Sequence, residues 1–180
     1  AGTHLPIGDL KLNFTYPEGE LSDYHHELDL STAVNTVTYK IGDTEYTRQS
    51  IASNPDDVIA MYITASRPEA ITMELELNLL RNAEVIASGN QLIYTGNAEF
   101  EKHGRGGVLF EGRIAVEIKG GTIKADGKKL LIDKATEVTL LSDVRTNYKN
   151  TTFAGYDYKQ KCKETIEAAA KKSFKTLRNT

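Results

Sequence analysis

Four histidines, one cysteine and one pair of closely spaced acids hold most of the chemistry this chain could perform. His25-His26 is the only dense histidine pair, but neighbours on a strand point to opposite faces, so the two cannot share a metal without distorting it. His4 and His103 have no acid or cysteine at ligand spacing, and no metal site is expected. His103-Gly104-Arg105-Gly106-Gly107 has the glycine density of a phosphate loop. It lacks the Gly-Lys-Ser/Thr ending, however, and precedes a strand rather than the helix whose N-terminus would bind the anion, so it reads as a mobile hairpin loop. Glu74 and Glu76 share one polar strand face and could in principle act as an acid and a base. Nothing nearby in sequence raises either pKa, and paired acids on a solvated face are ordinary. No Ser carries a nucleophile signature, and Cys162 falls on an apolar helix stripe, where a buried structural thiol is expected. The catalytic set is therefore expected to be none, with no metal, no cofactor and no assigned binding residue. Asn13-Phe14-Thr15 and Asn150-Thr151-Thr152 match the glycosylation acceptor pattern, which is too common to assign. Tyr148, Phe153, Tyr156 and Tyr158 form the only aromatic group dense in sequence; sugar binding wants exposed aromatics with polar neighbours, but their place at a sheet-to-helix junction favours core packing.

The elements that must position these residues are read from length and periodicity. A chain of 180 residues, 39% hydrophobic, suits one domain with a substantial core. A single cysteine excludes an internal disulfide. A net charge of −3 offers no basic footprint for nucleic acid, and no apolar stretch approaches the roughly 20 residues that span a bilayer. No signal peptide is expected within this sequence, and the opening Ala1-Gly2-Thr3-His4-Leu5-Pro6 reads as the inside of a longer protein or a mature start after cleavage. Charge is unevenly placed: residues 157–180 hold seven Lys/Arg against three acids, a net +4, which leaves −7 on the remainder.

Most of the chain alternates with period two, as half-buried strands do. Ile71, Met73, Leu75, Leu77 and Leu79 oppose Thr72, Glu74, Glu76 and Asn78, while Val108, Phe110, Ile114, Val116 and Ile118 oppose Glu111, Arg113, Glu117 and Lys119. Leu10, Leu12 and Phe14, and Val37, Tyr39 and Ile41, behave likewise, and shorter strands are predicted at 24–30, 44–49, 58–65, 84–87, 91–95, 121–125, 129–132 and 136–141. With Leu28 and Leu30 toward the core, His26 points inward and His25 outward. Asp126-Gly127 is the clearest hairpin turn, with the positive φ of type I′. After Gly155 the period changes to helical: Cys162, Ile166, Ala170, Ser173, Phe174 and Leu177 share one stripe, and Asp157 with Gln160 matches a capping box. One helix over about 157–178 is predicted. The expected fold is mainly β, an antiparallel sandwich over 1–150 followed by a single C-terminal linker helix within 151–180.

The order His4-Leu5-Pro6-Ile7-Gly8-Asp9-Leu10, then Tyr24-His25-His26-Glu27-Leu28-Asp29-Leu30-Ser31-Thr32-Ala33, then Arg48 and Ala52-Ser53-Asn54-Pro55-Asp56, resembles the N-terminal domain of glycoside hydrolase family 95, the α-L-fucosidases. Gly120-Gly121-Thr122, Ala125-Asp126-Gly127, Ala135-Thr136-Glu137-Val138-Thr139-Leu140-Leu141 and Thr146-Asn147-Tyr148 look like its closing strands, and Tyr158, Cys162 and 168–177 like its linker helix. The chain departs from the family in carrying His25-His26 where Tyr-Arg-Arg or similar usually precedes Glu-Leu-Asp-Leu. The resemblance implies a super-sandwich preceding an (α/α)6 barrel that supplies the catalytic residues and removes terminal α-L-fucosyl groups with inversion. It implies that this chain lacks the family's first strands and stops where the barrel should begin. It implies as partners that barrel and, through it, fucosylated glycans, in a bacterial, periplasmic or extracellular setting.

Two function classes follow: a non-catalytic domain of a fucosidase-like hydrolase, or a free-standing carbohydrate-binding or adhesion sandwich. With strands and barrel missing, an unpaired edge and an apolar helix stripe are expected to drive self-association, or the helix is expected to fold back along its own sheet and hide the stripe.

Overall fold

The computed structural model describes residues 6–80, 83–98, 107–148 and 156–179. Twelve strands precede two helices: β1 Gly8–Phe14, β2 Leu21–Asp29, β3 Val34–Ile41, β4 Thr44–Ser53, β5 Val58–Ala65, β6 Ile71–Leu79, β7 Ala83–Ser88, β8 Gln91–Ala98, β9 Val108–Lys119, β10 Thr122–Asp126, β11 Lys129–Ala135, β12 Glu137–Thr146, α1 Tyr158–Ala169 and α2 Phe174–Arg178. A four-stranded sheet in the order β1-β6-β11-β10 faces an eight-stranded sheet in the order β2-β3-β4-β5-β12-β9-β8-β7, and every pairing is antiparallel. The mainly β sandwich read from the alternation is the fold found.

The alternation works as elementary geometry requires, because successive side chains leave opposite faces of a strand. On β6, Ile71, Met73 and Leu75 enter the core between the sheets, where they meet Leu130 and Ile132 of β11, Leu92 of β8, Phe110, Ile114 and Val116 of β9, and Val138 and Leu140 of β12. Gly112 interrupts the β9 series for a steric reason: a Cβ there would stand 2.0 Å from Cζ of the buried Tyr94. One aromatic plug closes the β1 side of this core. Phe14 stacks on Tyr16 at 5.4 Å, Tyr16 meets Tyr46 at 5.2 Å and Tyr39 at 6.0 Å, and Tyr39 stacks on Tyr46 at 5.5 Å. This cluster is assembled from positions far apart in the chain and does not stand out in the sequence.

Three local expectations are corrected. The β10–β11 hairpin pairs Asp126 with Lys129, so its loop is Gly127-Lys128, and only Gly127 has positive φ, +59°. That is the pattern of a type II′ rather than a type I′ turn. Strand β2 is half-buried by pattern yet exposed along its whole length. Its register does set His26 opposite Val37 and Leu28 opposite Asn35, as parity demands, but β2 is the outermost strand of the larger sheet and the smaller sheet does not reach over it. Leu28 is 56% and Leu30 86% exposed.

The third correction concerns the C-terminal helix, which is two helices. Asp157 caps α1 by accepting from the backbone N–H of Lys159 and Gln160, but the Gln160 side chain donates to Glu164 rather than reaching back, so only half the capping box forms. Ser173 then adopts extended φ/ψ and its Oγ accepts from the N–H of Thr176, starting α2 anew. Helix α1 ends with its C-cap at Ala170, and the capping serine inside the stripe begins the next helix.

Candidate functional site

The outer face of the eight-stranded sheet carries α1 and α2 and holds the structure's most concentrated buried polar chemistry. On β9, Glu111, Arg113 and Ala115 point outward, and on neighbouring β12 so do Leu141, Asp143 and Arg145. The register sets Arg113 opposite Asp143 and Arg145 opposite Glu111, a two-by-two box of alternating charge. Within each strand the acid reaches the arginine two residues on: Glu111 Oε1 accepts from Arg113 Nε at 2.8 Å and Nη2 at 2.7 Å, and Asp143 Oδ2 accepts from Arg145 Nε at 2.7 Å. Arg145 also reaches Asp57 at 3.3 Å and Thr165 Oγ1 at 3.5 Å, and Arg113 donates to Gln91 at 3.5 Å. Charge-assisted bonds of this kind let four charges sit under a helix where unpaired ones could not. Burial opposes the charge on Arg145, but its bonds to Asp143 and Asp57 outweigh this and hold its pKa above the usual value.

Helix α1 covers the box with Cys162, Thr165, Ile166 and Ala169. The Cys162 thiol donates to the Asp143 carbonyl at 3.6 Å, and burial, reinforced by the nearby Asp143 and Glu111 charges, pushes its pKa up to about 12. A thiol so held stays protonated and is no nucleophile, which agrees with a buried structural role. Beyond α1, Lys172 pairs with Asp56 in the β4–β5 turn, and Phe174 stacks on Tyr62 at 5.2 Å. Phe174 and Leu177 join Val34, Ile51, Val58, Ala60 and Leu141 in a second apolar cluster. The helical stripe is thus spent on the chain's own sheet, the second of the two fates expected for it.

The residues singled out in the sequence are scattered. His25 contacts Glu27 at 3.2 Å and His26 contacts Asn35 at 2.6 Å, both in solvent, and among the described residues no group of three or more potential ligands could hold a metal. Glu74 and Glu76 both bind Lys129, at 2.7 and 3.2 Å, on the outer face of the small sheet. The Lys129 hydrogen bond holds the Glu74 pKa below its usual value, the reverse of what a general acid needs. Asn13, on β1, is exposed and donates to Glu74 at 3.4 Å. Tyr148 is exposed, while Tyr156 and Tyr158 are half-buried. His4, residues His103 to Gly106, Asn150 to Thr152, and Phe153 lie outside the described residues.

The charge box is the site the sequence reading missed. Its signal was the repeated spacing Glu111-Gly112-Arg113 and Asp143-Val144-Arg145, an acid and an arginine two apart on strands that turn out to be neighbours. Beside α2 runs a polar groove of about 590 Å³ lined by Glu27, Asp29, Thr36, Gln49 and Arg178. What this face can do is bind: it holds a basic helical layer on an acidic sandwich.

Comparison with known proteins finds glycosyl hydrolase N-terminal sequence across most of the chain. The family model described as glycosyl hydrolase family 65, N-terminal domain, matches residues 1–151. Alpha-L-fucosidase 2 of Arabidopsis thaliana is 28% identical over 199 aligned positions, covering 95% of this chain and 23% of that protein. Probable alpha-fucosidase A of Aspergillus niger is 29% identical, covering 93% of this chain and 23% of its own length. The chain thus spans about a quarter of these relatives. Among solved structures, a putative kojibiose phosphorylase from the human microbiome superposes with a TM-score of 0.60 at 13% identity, over 96% of this chain and 27% of that one.

Proposed function

The chain belongs to the glycosyl hydrolase family 65 N-terminal domain family, and from that premise we propose that it is the non-catalytic sandwich of an α-L-fucosidase-like hydrolase of the family 95 kind. The observation that carries the proposal is the alignment of nearly the whole chain with one quarter of two proteins named as fucosidases, at about twice the sequence identity it has to the phosphorylase. The remaining three quarters of such a protein would include the (α/α)6 barrel that supplies the acid and base for inversion, which must flank the scissile bond. In this reading the sandwich is residues 1–150 and the segment 151–180 leads toward that barrel. The sandwich supports the barrel, fucosylated glycans are met through it, and the parent works in a periplasmic or extracellular setting.

Two measurements test the reading. The purified chain alone is expected to leave 2′-fucosyllactose and an aryl α-L-fucoside intact, and turnover that survives further purification would refute the non-catalytic assignment. The longer protein containing it is expected to release fucose from the same substrates. Phosphate-dependent cleavage of kojibiose, without fucose release, would move the parent to the phosphorylase side of the family. Specific glycan binding by the isolated chain would instead favour the free-standing carbohydrate-binding module.

A further inference from the structure

We propose that the cavity between α2 and the outer face of the larger sheet is an oxyanion site, taking the phosphate or sulfate group of a small hydroxylated molecule. This inference does not rest on the fucosidase reading. The cavity has a volume of about 360 Å³ and is lined by Gln49 of β4, Tyr62 of β5, Glu137 and Thr139 of β12, and Lys175 and Arg178 of α2. That is room enough for a small molecule, since ligand pockets run from roughly 300 to 1,000 Å³.

The sheet builds the floor of this cavity and the helix its rim. The register sets Gln49 opposite Tyr62 and Tyr62 opposite Thr139, so three polar side chains on neighbouring strands form one row on the outer face. Phe174, stacked on Tyr62 at 5.2 Å, anchors α2 beside that row. Lys175 and Arg178 are three residues apart, which makes them neighbours on the helix surface, and both border the same cavity. Gln49 and Thr139 are half-buried, while the two cations are exposed at the mouth.

The balance of unused groups is what selects an anion. Glu137, the one carboxylate in this lining, is already committed: Oε1 accepts from Lys119 Nζ at 2.7 Å and Oε2 from the Tyr62 hydroxyl at 2.6 Å, so Lys119 offsets its charge. Among the described residues, the side chains of Gln49, Thr139, Lys175 and Arg178 make no hydrogen bond or ion pair within the protein. Other cations on this face are matched, Lys172 by Asp56 and Arg145 by Asp57 and Asp143. Four donor groups therefore converge on one cavity, and an anion with several oxygens around a single atom supplies the acceptors they lack. The planar guanidinium can hold two of those oxygens at once. Arg178 also borders the larger groove, where Glu27 and Asp29 supply acceptors instead. The body of the molecule lying there must carry hydroxyl donors rather than a second anion.

Thermal melts and NMR titrations with inorganic phosphate and inorganic sulfate test the site, each against sodium chloride at matched ionic strength so that general screening cancels. Either anion is expected to raise Tm saturably, with half the effect at ~10 mM or below, and to shift the amides of Gln49 and Thr139 most. Lys175→Gln combined with Arg178→Gln, both at exposed positions, is expected to weaken binding by about tenfold or more. Lys161→Gln, exposed on α1 and outside the cavity, is expected to leave it unchanged. A hexose phosphate is expected to bind more tightly than inorganic phosphate and to shift Thr36 as well, because Thr36 lines the larger groove. Equal affinity would overturn the assignment of that groove to the body of the ligand and leave the free ion as the occupant. No saturable stabilisation by either anion up to ~50 mM, an equal loss in Lys161→Gln, or shifts spread along α1 instead of the cavity would overturn the site itself.

Discussion

Removing Glu111 should damage this protein more than removing any acid on its open surfaces. The Glu111 side chain is 5% exposed and binds Arg113, itself 15% exposed, through two contacts of 2.7 and 2.8 Å. In Glu111→Ala, Arg113 would lose its hydrogen-bonded carboxylate beneath α1 and keep a contact to Gln91 at 3.5 Å and the neighbouring charge of Asp143 across on β12. Orphaning one partner of a buried pair costs about 3–5 kcal/mol, a large share of the roughly 5–15 kcal/mol by which domains are stable. Asp143→Ala should cost less, about 2–3 kcal/mol, because Arg145 is 21% exposed and keeps Asp57 at 3.3 Å. Replacing both members, Glu111→Leu with Arg113→Met, should return stability to within about 1–2 kcal/mol of wild type, since well-packed apolar groups substitute for buried pairs at little cost. Urea unfolding followed by circular dichroism gives all three values. A Glu111→Ala cost below about 1 kcal/mol, or a double variant worse than the single, would refute the claim that the box is a buried, mutually dependent unit.

Phe174→Ala, which removes the ring stacked on Tyr62, should cost about 3–5 kcal/mol in the same assay, because a helix of five residues has no stability apart from its packing. Cys162 should resist a thiol-specific reagent in the native protein and react fully once unfolded; a native rate matching the unfolded one would show that α1 does not cover it. The folded thiol pKa of about 12 lies above its unfolded value near 9, so the stability it contributes is intact below pH ~9 and lost as pH rises toward 12, read as a falling Tm. His26→Ala and His25→Ala should both stay within about 0.5–1 kcal/mol of wild type in thermal melts, since both rings contact their partners in solvent.

The strands were legible because alternation is a local property, and β6 shows it: five apolar residues on one side, four polar on the other, with Ile71, Met73 and Leu75 of the apolar side buried in the core and Leu77 and Leu79 half-buried against it. What covers a strand is not local. Strand β2 alternates well enough to suggest an inner face, but whether a second layer lies over that face depends on the smaller sheet having four strands against eight. The helix break at Ser173 has the same character, because a serine within a stripe can be read either as a small core residue or as a cap, and only the anchors Asp56 and Tyr62 decide between them. The charge box was written as polar positions on two separate strands, and its chemistry exists only once β9 and β12 become neighbours. The catalytic assignment of none rested on missing signatures, and the carboxylates that looked eligible, Glu74 and Glu76, are held by Lys129.

The break between α1 and α2 also has a mechanical side. A pull on the segment beyond Arg178 would first load α2, which is held by Phe174 and Leu177 and by its single-residue cap at Ser173. The Lys172–Asp56 pair lies just behind that cap, so the load would have to break it before reaching α1. Helix α1 would yield last, because its four buried side chains and the Arg145–Thr165 contact tie it across two strands at once. Tension from that end would therefore peel the helical layer in two steps of unequal strength, the weaker one outermost, and the sandwich would stay intact while the first gave way.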